Sequence, residues 1–482
     1  MTPSIAVIGS GFGGLAAVIE LKKQGFDDIV VFEKADEVGG VWRENTYPGA
    51  ACDVPSPFYS YSFEPNPRWP HRFSRQPAIL DYIKHVAAKY DVRRHIRFGT
   101  EVRGAEFDEA EGKWTVTLGS GDTVVVDVLV SAVGQLSRPA LPAIAGRDTF
   151  AGTSFHSAQW DHEVDLTGKR VAVIGTGASA IQFVPEIQPA VAKLTVFQRT
   201  APYIISRPDR QFSRRHHRLF EQVPATELAE RGTWYGVVEG LSFAWVYAAP
   251  LAAAIRAWSK WHMRRQAKSA PGLFEKIWPA YPIGCKRILF SDNYIPALTQ
   301  PNVELRTEAI AEITPAGVRT VDGVEHDVDV IIWGTGFRTT EFLAPMQITG
   351  TGGLALAEQW RDGAHAYYGM TVPRFPNLFL MYGPNTNTGG GSIIYFLEAQ
   401  AKYLGRYVAH LATTGRPLAV RPEVEKSYDA RIQELLGGSV WSRCSSWYRQ
   451  ADGRITTNWP LLGRQYRKQA RFDPADYEVM TR

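Results

Sequence analysis

The chain has 482 residues, with 53 Lys and Arg against 49 Asp and Glu, so its formal net charge is +4. A chain of this length is too long for one hydrophobic core and predicts two or three domains. Its 45% apolar and 21% charged residues are typical of a globular protein. The small positive excess predicts no nucleic-acid partner, so Lys and Arg are sought at specific anion sites instead.

The three cysteines, Cys52, Cys285 and Cys444, lie far apart in the sequence and form no C-x-x-C pair. This pattern argues against a zinc site, a redox-active disulfide and a secreted disulfide framework. We therefore expect no metal and a reducing, cytoplasmic location. The apolar run at residues 5–8 already has the pattern of a first strand, which predicts that no signal peptide precedes the fold.

A near-repeat is the first feature along the chain. Residues 5–16 return at residues 171–182, and the two copies start 166 residues apart. Each copy is a short β-rich run, a glycine-rich turn and a helical pattern. This separation suits two nucleotide-binding domains and is too large for a solenoid. The predicted fold class is α/β, with two Rossmann-like dinucleotide-binding domains.

The remaining elements divide the chain further. A helix is expected at residues 77–90 and strands at residues 114–118 and 123–130. From about residue 206 to residue 282 the β/α rhythm is lost, which predicts a helical insertion rich in Trp and Arg. The predicted segments are a first part of the first nucleotide-binding domain (1–143), a first part of the second (144–205), the insertion (206–285), and second parts of the second domain (286–370) and of the first (371–482).

An apolar segment at residues 241–255 lies within the predicted insertion. It is shorter than the ~20 residues of a spanning helix, and Pro250 interrupts it. We expect a buried helix. The alternative is a helix that touches a membrane surface and admits apolar substrates.

The first glycine turn has the spacing Gly9-x-Gly11-x-x-Gly14. Its glycines allow a tight turn, close approach of a pyrophosphate, and packing of the helix on the strand. Glu33 follows the next strand, 19 residues past Gly14, where a carboxylate hydrogen-bonds a ribose 2′-hydroxyl. Such a site suits FAD or NAD. The predicted contacts are Gly9, Gly11, Phe12, Gly13, Gly14, Glu33 and Lys34.

The second turn, Gly175-x-Gly177-x-x-Ala180, is followed 19 residues past Ala180 by Arg199 instead of an acid. A guanidinium there matches a 2′-phosphate, so this site predicts NADPH. The simplest assignment is FAD in the first domain and NADPH in the second, with hydride transfer from NADPH to the flavin. The predicted NADPH contacts are Gly175, Thr176, Gly177, Ala178, Ser179, Ala180, Arg199 and Thr200.

Between the two turns, the motif Phe150-x-Gly152-x-x-x-His156-x-x-x-Trp160-Asp161 resembles the fingerprint of the Baeyer–Villiger type of class B flavoprotein monooxygenases. The sister family, which oxygenates nitrogen and sulfur, usually has Tyr or Phe in place of Trp160. Further matches run almost end to end, at residues 39–42, 47–53, 284–287, 334–337 and 383–385. The family often has Arg where this chain has Ala51, a departure on the nicotinamide side.

The resemblance implies a reaction in which NADPH reduces FAD, reduced flavin and oxygen give a C4a-peroxyflavin, and the peroxide attacks a ketone to yield an ester or lactone. Such chemistry needs a cation that never gives up its proton, which suits arginine. Arg287 is the candidate, oriented by Asp53 in a charge-assisted pair. The further implied cofactor contacts are Gly40, Val41, Trp42, Asp53, Tyr59, Val102, Lys286 and Asn385.

Four residues have implied roles outside cofactor binding. Gln135 is expected near the flavin and the substrate. Gly152, His156 and Trp160 belong to the linker between the domains, so we expect His156 to be a hinge residue that shapes the catalytic cycle and not a proton carrier.

Three alternatives remain at the level of sequence. An S- or N-oxygenating monooxygenase shares both cofactors, so a ketone or a sulfide is the expected substrate together with O2. An NADPH–disulfide reductase is disfavoured because a C-x-x-C pair is missing. A flavoprotein kept for binding, docked to a membrane through residues 241–255, has no need of Arg199. The sequence predicts no oligomeric state.

Overall fold

The structure, a computed structural model, describes residues 2–450 and 452–480, except for the side chains of residues 245 and 246. Its strands are β1 (Ile5–Ile8), β2 (Ile29–Phe32), β3 (Ile96–Arg97), β4 (Val102–Asp108), β5 (Lys113–Leu118), β6 (Thr123–Val126), β7 (Val128–Ser131), β8 (Thr153–His156), β9 (Arg170–Ile174), β10 (Lys193–Phe197), β11 (Ile204–Ile205), β12 (Leu289–Phe290), β13 (Val303–Arg306), β14 (Ile310–Thr314), β15 (Gly317–Thr320), β16 (Glu325–Asp327), β17 (Val330–Trp333), β18 (Gln347–Thr349), β19 (Leu378–Leu380), β20 (Leu418–Val420) and β21 (Tyr477–Val479).

The α-helices are α1 (Phe12–Lys23), α2 (Val41–Glu44), α3 (Gln76–Lys89), α4 (Ala180–Ile187), α5 (Arg214–Gln222), α6 (Pro224–Tyr247), α7 (Ala249–Gln266), α8 (Leu273–Ile277), α9 (Tyr294–Leu298), α10 (Leu356–Gln359), α11 (Ile393–Thr414), α12 (Pro422–Gly437) and α13 (Gly463–Gln469). Short 3₁₀ segments lie at Arg93–His95, Arg147–Thr149, Ser157–Gln159, Thr351–Gly353, Val440–Arg443 and Pro474–Asp476.

Two parallel sheets of five strands organise the chain. The first has the order β19-β7-β1-β2-β3 and the second the order β13-β10-β9-β17-β8. Their central strands, β1 and β9, are short runs rich in Val, Ile and Ala that are buried on both faces, as parallel strands covered by helices require. The predicted α/β class with two Rossmann-like domains and a helical insertion is confirmed.

We call each parallel sheet, together with the elements packed on it, a unit. The first unit is built from distant parts of the chain. Strand β19 pairs with β7, and α11 packs on α1 next to it. An antiparallel meander of β4, β5 and β6 lies beside this sheet, and β18 adds to it in parallel with β4. The chain is therefore back on the first unit at Gln347, ahead of the boundary predicted at residue 370. The segment boundaries stay predictions.

One predicted strand is divided. Residues 123–130 form β6 and β7, separated at Asp127, whose carboxylate accepts hydrogen bonds from the Ser4 amide and hydroxyl at 2.8 and 2.7 Å. The break lets β6 end the meander while β7 enters the first parallel sheet.

The insertion consists of α5 to α8. In the described residues, no single helix is long and apolar enough to cross a membrane, and only the pair Pro224–Ala244 and Ala249–Gln266, bent by 107°, meets that criterion together by length and composition.

The buried helix expected at residues 241–255 is wrong. This segment spans the end of α6 and the start of α7, and Phe243, Tyr247 and Leu251 are exposed. Apolar composition could not separate burial in a core from exposure.

Candidate active site

The turn after β1 is packed so tightly that only glycine fits at two of its positions. A Cβ at Gly9, where φ is +100°, would lie 2.8 Å from the Ala132 carbonyl oxygen, and one at Gly14 would lie 2.0 Å from the Gly9 oxygen. At Gly11 the nearest atom is the Cα of Gly40, at 3.5 Å. Helix α1 begins here without a side-chain cap, so the amides of its first turn are free to bind an anion.

Glu33 is buried next to this turn. One carboxylate oxygen accepts hydrogen bonds from the Ser10 amide and hydroxyl at 2.9 and 2.7 Å, and the other accepts one from the Ala35 amide at 3.0 Å. These bonds fix the carboxylate at the end of β2, the position that the sequence predicted for a ribose contact. The adjoining Lys34 is exposed.

Other predicted FAD contacts surround the same turn. Gly40 precedes α2, which starts at Val41, and the Trp42 indole N–H donates to the Tyr59 hydroxyl at 3.1 Å. The Phe12 and Tyr59 rings meet edge to face at 5.5 Å, and Gly13 lies against Met381. Val102, at the start of β4, is buried.

The Asn385 side chain binds backbone carbonyl groups near the C-terminus. Its side-chain amide donates to the Ile455 and Asn458 carbonyls at 2.8 and 3.1 Å. This side chain therefore holds the C-terminal segment, and its predicted contact with FAD stays a prediction.

The second turn has the same construction after β9. A Cβ at Gly175, where φ is +109°, would lie 2.3 Å from the Gly334 carbonyl oxygen, whereas a Cβ at Gly177 would meet nothing within 4 Å. Ala180 is fully buried at the start of α4, and Ser179 precedes it as the N-cap. The Thr176 hydroxyl donates to the Thr200 carbonyl at 3.2 Å. Gly177 and Ala178 are exposed, which leaves the helix start open to a ligand.

Arg199 and Lys286 come together beside this turn although they are distant in the sequence. Burial, and then the charge of Arg199, lower the pKa of Lys286. Neither side chain forms an ion pair with any described residue. Two neighbouring cations without a counter-ion form a site for an anion with several negative charges, such as a phosphate monoester.

Arg287 and Asp53 form a bidentate pair between the two units. Arg287 Nε donates to Asp53 Oδ2 at 2.9 Å, and Nη2 donates to Oδ1 at 2.7 Å. The charge of Asp53 is the main cause of a raised pKa for Arg287, so the guanidinium stays protonated. The predicted pair is thus present as geometry, and its catalytic role stays a prediction.

Two tyrosines near Arg287 were not assigned roles from the sequence. Burial raises the pKa of Tyr448 to about 12, an effect that the charge of Arg287 opposes, and it raises the pKa of Tyr382 in the same way. Both phenols are therefore neutral at physiological pH. Gln135 lies next to Tyr382: its amide donates to the Tyr382 carbonyl at 3.0 Å, and its buried Oε1 has no partner among the described residues.

A disulfide between Cys285 and Cys444 corrects the expectation from the cysteine pattern. The two Cα atoms are 6.2 Å apart although 159 positions separate the residues. The bond ties the segment that carries Tyr448 to the residue directly before Lys286 and Arg287. Sequence spacing could not reveal it, since the fold alone brings these segments together. Cys52 is free and buried.

The fingerprint residues have structural explanations. A Cβ at Gly152 would lie 2.5 Å from the Asp329 carbonyl oxygen. His156 is buried at the end of β8; its Nδ1 accepts from the Ala158 amide at 3.1 Å, and burial lowers its pKa. Its ring meets that of Phe337, in the linker after β17, edge to face at 5.9 Å. His156 thus contacts this linker, and its hinge role stays a prediction.

Trp160 packs on the second unit instead of facing the Arg287 pair. Its ring lies 5.3 Å from that of Phe183 on α4. The same helix is joined to the first unit through Gln182, which the sequence did not single out. Gln182 donates to the Ala51 carbonyl at 3.0 Å and accepts from the Tyr47 hydroxyl at 3.0 Å. Ala51, the departure from the family pattern, thus lies in the contact between the two units.

Known proteins are similar to this chain in both sequence and fold. A family model for flavin-binding monooxygenase-like proteins matches residues 2–214. A Baeyer–Villiger monooxygenase of Streptomyces coelicolor is 44% identical over 99% of this chain and 92% of its own length. An oxidised steroid monooxygenase bound to NADP superposes with a TM-score of 0.88 at 31% identity over 100% of both chains. The OTEMO complex with FAD and NADP superposes with a TM-score of 0.88 at 27% identity over 99% of this chain and 100% of its own. The chain belongs to the Baeyer–Villiger monooxygenase family.

Proposed function

We propose that this protein is an NADPH-dependent flavin monooxygenase that converts a ketone, O2, NADPH and a proton into an ester or lactone, NADP⁺ and water. The observation that carries the proposal is the Arg287–Asp53 pair, which lies where the two dinucleotide-binding units meet. A guanidinium held by a carboxylate keeps its charge and its orientation throughout a reaction in which negative charge develops nearby.

The residues of the first unit fit FAD. The glycine turn leads into the uncapped start of α1, which suits a pyrophosphate, and Glu33 is fixed at the end of β2 for a ribose. The buried Oε1 of Gln135 has no hydrogen-bond donor among the described residues, and the N–H group of a flavin ring would supply one. Trp42 and Tyr59 would flank the same region.

The residues of the second unit fit NADPH. Gly177 leaves open space at the start of α4, and Arg199 with Lys286 forms a cationic site for the 2′-phosphate. NADH lacks that phosphate and would leave both cations without a partner, so the site favours NADPH.

When bound, FAD supplies oxygen activation and NADPH supplies the hydride. The protein contributes the fixed positive charge of Arg287, which would stabilise the developing negative charge on oxygen during attack on the carbonyl. The neutral tyrosines Tyr382 and Tyr448 lie close enough to Arg287 for its charge to affect their pKa values. No residue acts as a general base in this scheme.

The cytoplasmic location predicted from the sequence is part of this proposal. One argument for it was the expectation of reduced cysteines, and the Cys285–Cys444 bond removes that argument. The dependence on NADPH, a cofactor of intracellular metabolism, supports it.

The test is product analysis with matched NADPH consumption. The purified protein, supplied with FAD, NADPH and O2, is given either a simple cyclic ketone or an aryl alkyl sulfide, and products are separated by gas chromatography. One lactone formed per NADPH consumed supports the proposal. Sulfoxide without lactone would favour an S-oxygenating enzyme, and NADPH oxidation that releases only hydrogen peroxide with both compounds would refute oxygen transfer.

A further inference from the structure

The bend between α6 and α7 exposes a cluster of large apolar side chains. Nine of the sixteen exposed large apolar side chains in the described part of the chain fall between residues 219 and 261. We call the group at the bend and along α7 the helix corner; its members are Phe243, Tyr247, Leu251, Trp258 and Trp261. Tyr247 is 48% exposed and Trp261 is 56% exposed. Such a concentration marks an interaction surface.

The orientation of α7 is fixed by contacts on its other face. Ile255 and Met263 are buried there, and the Ser259 hydroxyl donates to the Ile204 carbonyl at 2.8 Å. Leu251 and Trp258 are exposed at the border of this buried face, and the exposed Trp261 lies farther round the helix, away from it. These side chains are therefore exposed because of the way in which α7 packs, and not because the helix frays.

The same surface is strongly basic. From residue 249 to residue 274 the chain has five basic residues and no Asp or Glu: Arg256, Lys260, Arg264, Arg265 and Lys268. None of the five forms an ion pair in the part of the chain that the structure describes. Four of the five charged groups lie over aromatic rings and are held against them. Arg265 lies over Trp261, and the other three lie over Trp278 or Phe274.

We propose that the helix corner docks on an anionic membrane surface. Tryptophan and tyrosine side chains favour the boundary between headgroups and acyl chains, and the basic residues complement anionic lipid headgroups. The exposed glycines of α6, Gly232, Gly236 and Gly240, would also allow close approach of a second copy. A second copy at these α6 glycines would leave the five positive charges at residues 256–268 without a counter-charge, whereas anionic headgroups would neutralise them, so the charge favours lipid.

The position of α6 relates this surface to the site, and this step rests on the proposed function. Val238, Glu239 and Ser242 of α6 line a small cavity whose other wall includes Tyr395 and Trp441. Helix α6 thus carries both part of the helix corner, Phe243 and Tyr247, and part of the wall of this cavity. A ketone that partitions into membranes is the substrate class that this arrangement suits.

Co-sedimentation of the full-length protein with phosphatidylcholine vesicles, with and without phosphatidylglycerol, tests the docking. We expect binding only to the anionic vesicles and its loss at high salt. The double variant Trp258→Ser/Trp261→Ser should bind at least tenfold more weakly. The double variant Arg265→Gln/Lys268→Gln should bind anionic vesicles about 25-fold more weakly, since each basic residue near an anionic surface contributes about a fivefold factor in affinity. The matched control, Val125→Ser/Val321→Ser, removes two exposed apolar residues elsewhere and should bind like the unaltered protein.

Equal binding by the control and the tryptophan variant, or equal binding to neutral and anionic vesicles, would overturn the docking. So would a dimer in solution that dissociates in the tryptophan variant without any vesicle binding. Thermal melting confirms that each variant is folded, and lactone formation from a water-soluble ketone should be unchanged in all of them. If the protein oxidises no ketone but binds anionic vesicles as expected, the proposed function fails and the docking stands.

Discussion

Replacing Asp53 with Asn tests the Arg287 pair most directly, because the change removes the counter-charge and keeps the size of the side chain. In the native pair, each carboxylate oxygen accepts a hydrogen bond from the guanidinium. The amide group of Asn has one oxygen and one NH2 group, and the NH2 group cannot accept. At least one bond is lost, and Arg287 is no longer held in a single orientation.

The expected effect follows from the type of bond and its exposure. A hydrogen bond between charged groups contributes about 1.5–3 kcal/mol. The side chain of Arg287 is 36% exposed, so water screens the interaction and the lower value, about 1.5 kcal/mol, applies. An energy of about 1.4 kcal/mol corresponds to a factor of ten in rate. We therefore expect ester formation to fall about tenfold while the reduction of bound FAD by NADPH stays close to the native rate.

The assay measures ester formed, hydrogen peroxide released and NADPH consumed in one sample. Asp329→Asn is the matched control, since Asp329 also binds an arginine, Arg170, at 2.8 Å, but at the start of β17, away from the glycine turns. If Asp53→Asn leaves the yield of ester per NADPH unchanged, Asp53 does not orient Arg287. The same conclusion follows if both variants lower this yield equally.

Three further predictions address other parts of the chain. Arg199→Ala should raise the KM for NADPH about tenfold or more, because a charge-assisted contact to the 2′-phosphate is lost, and should leave the KM for NADH unchanged; equal effects on both would contradict the assignment. Cys444→Ser should lower the free energy of unfolding by about 2–4 kcal/mol, and dithiothreitol should destabilise the native protein similarly but leave the variant unaffected. Burial raises the pKa of Glu227 to about 7. The folded state therefore holds a proton that the unfolded state releases, and stability should fall as pH rises from about 4.5 to about 7, by at most about 3 kcal/mol. Glu227→Gln should abolish this dependence in urea titrations, and an unchanged slope would argue against it.

The fold and the family followed from local patterns in the sequence. Glycine spacing, the strand before each turn and the residue 19 positions later are short-range signals that the nucleotide-binding turn requires. Gly152 shows the same locality, because a neighbouring backbone excludes any larger side chain there. These features predicted both parallel sheets, and the phosphate site at Arg199 and Lys286 stays a prediction.

The contacts that the sequence missed all join distant segments. The Cys285–Cys444 bond, the position of Tyr448 near Arg287 and the bonds of Gln182 to residues 47–51 depend on how the units pack. Local spacing carries no information on such pairs. The exposed helix corner was missed for a related reason: an apolar run has the same composition whether a core or a partner covers it.

The placement of β19 has a consequence for the synthesis of the protein. Strand β7 ends at Ser131, and its partner on one side, β19, begins at Leu378. At typical rates of about 5–20 residues per second, roughly 10–50 s pass between the translation of the two strands. During this interval the first sheet has an open edge at β7, a template for unwanted pairing with other chains. The nascent protein should thus depend on chaperones until the whole second unit and β19 have left the ribosome.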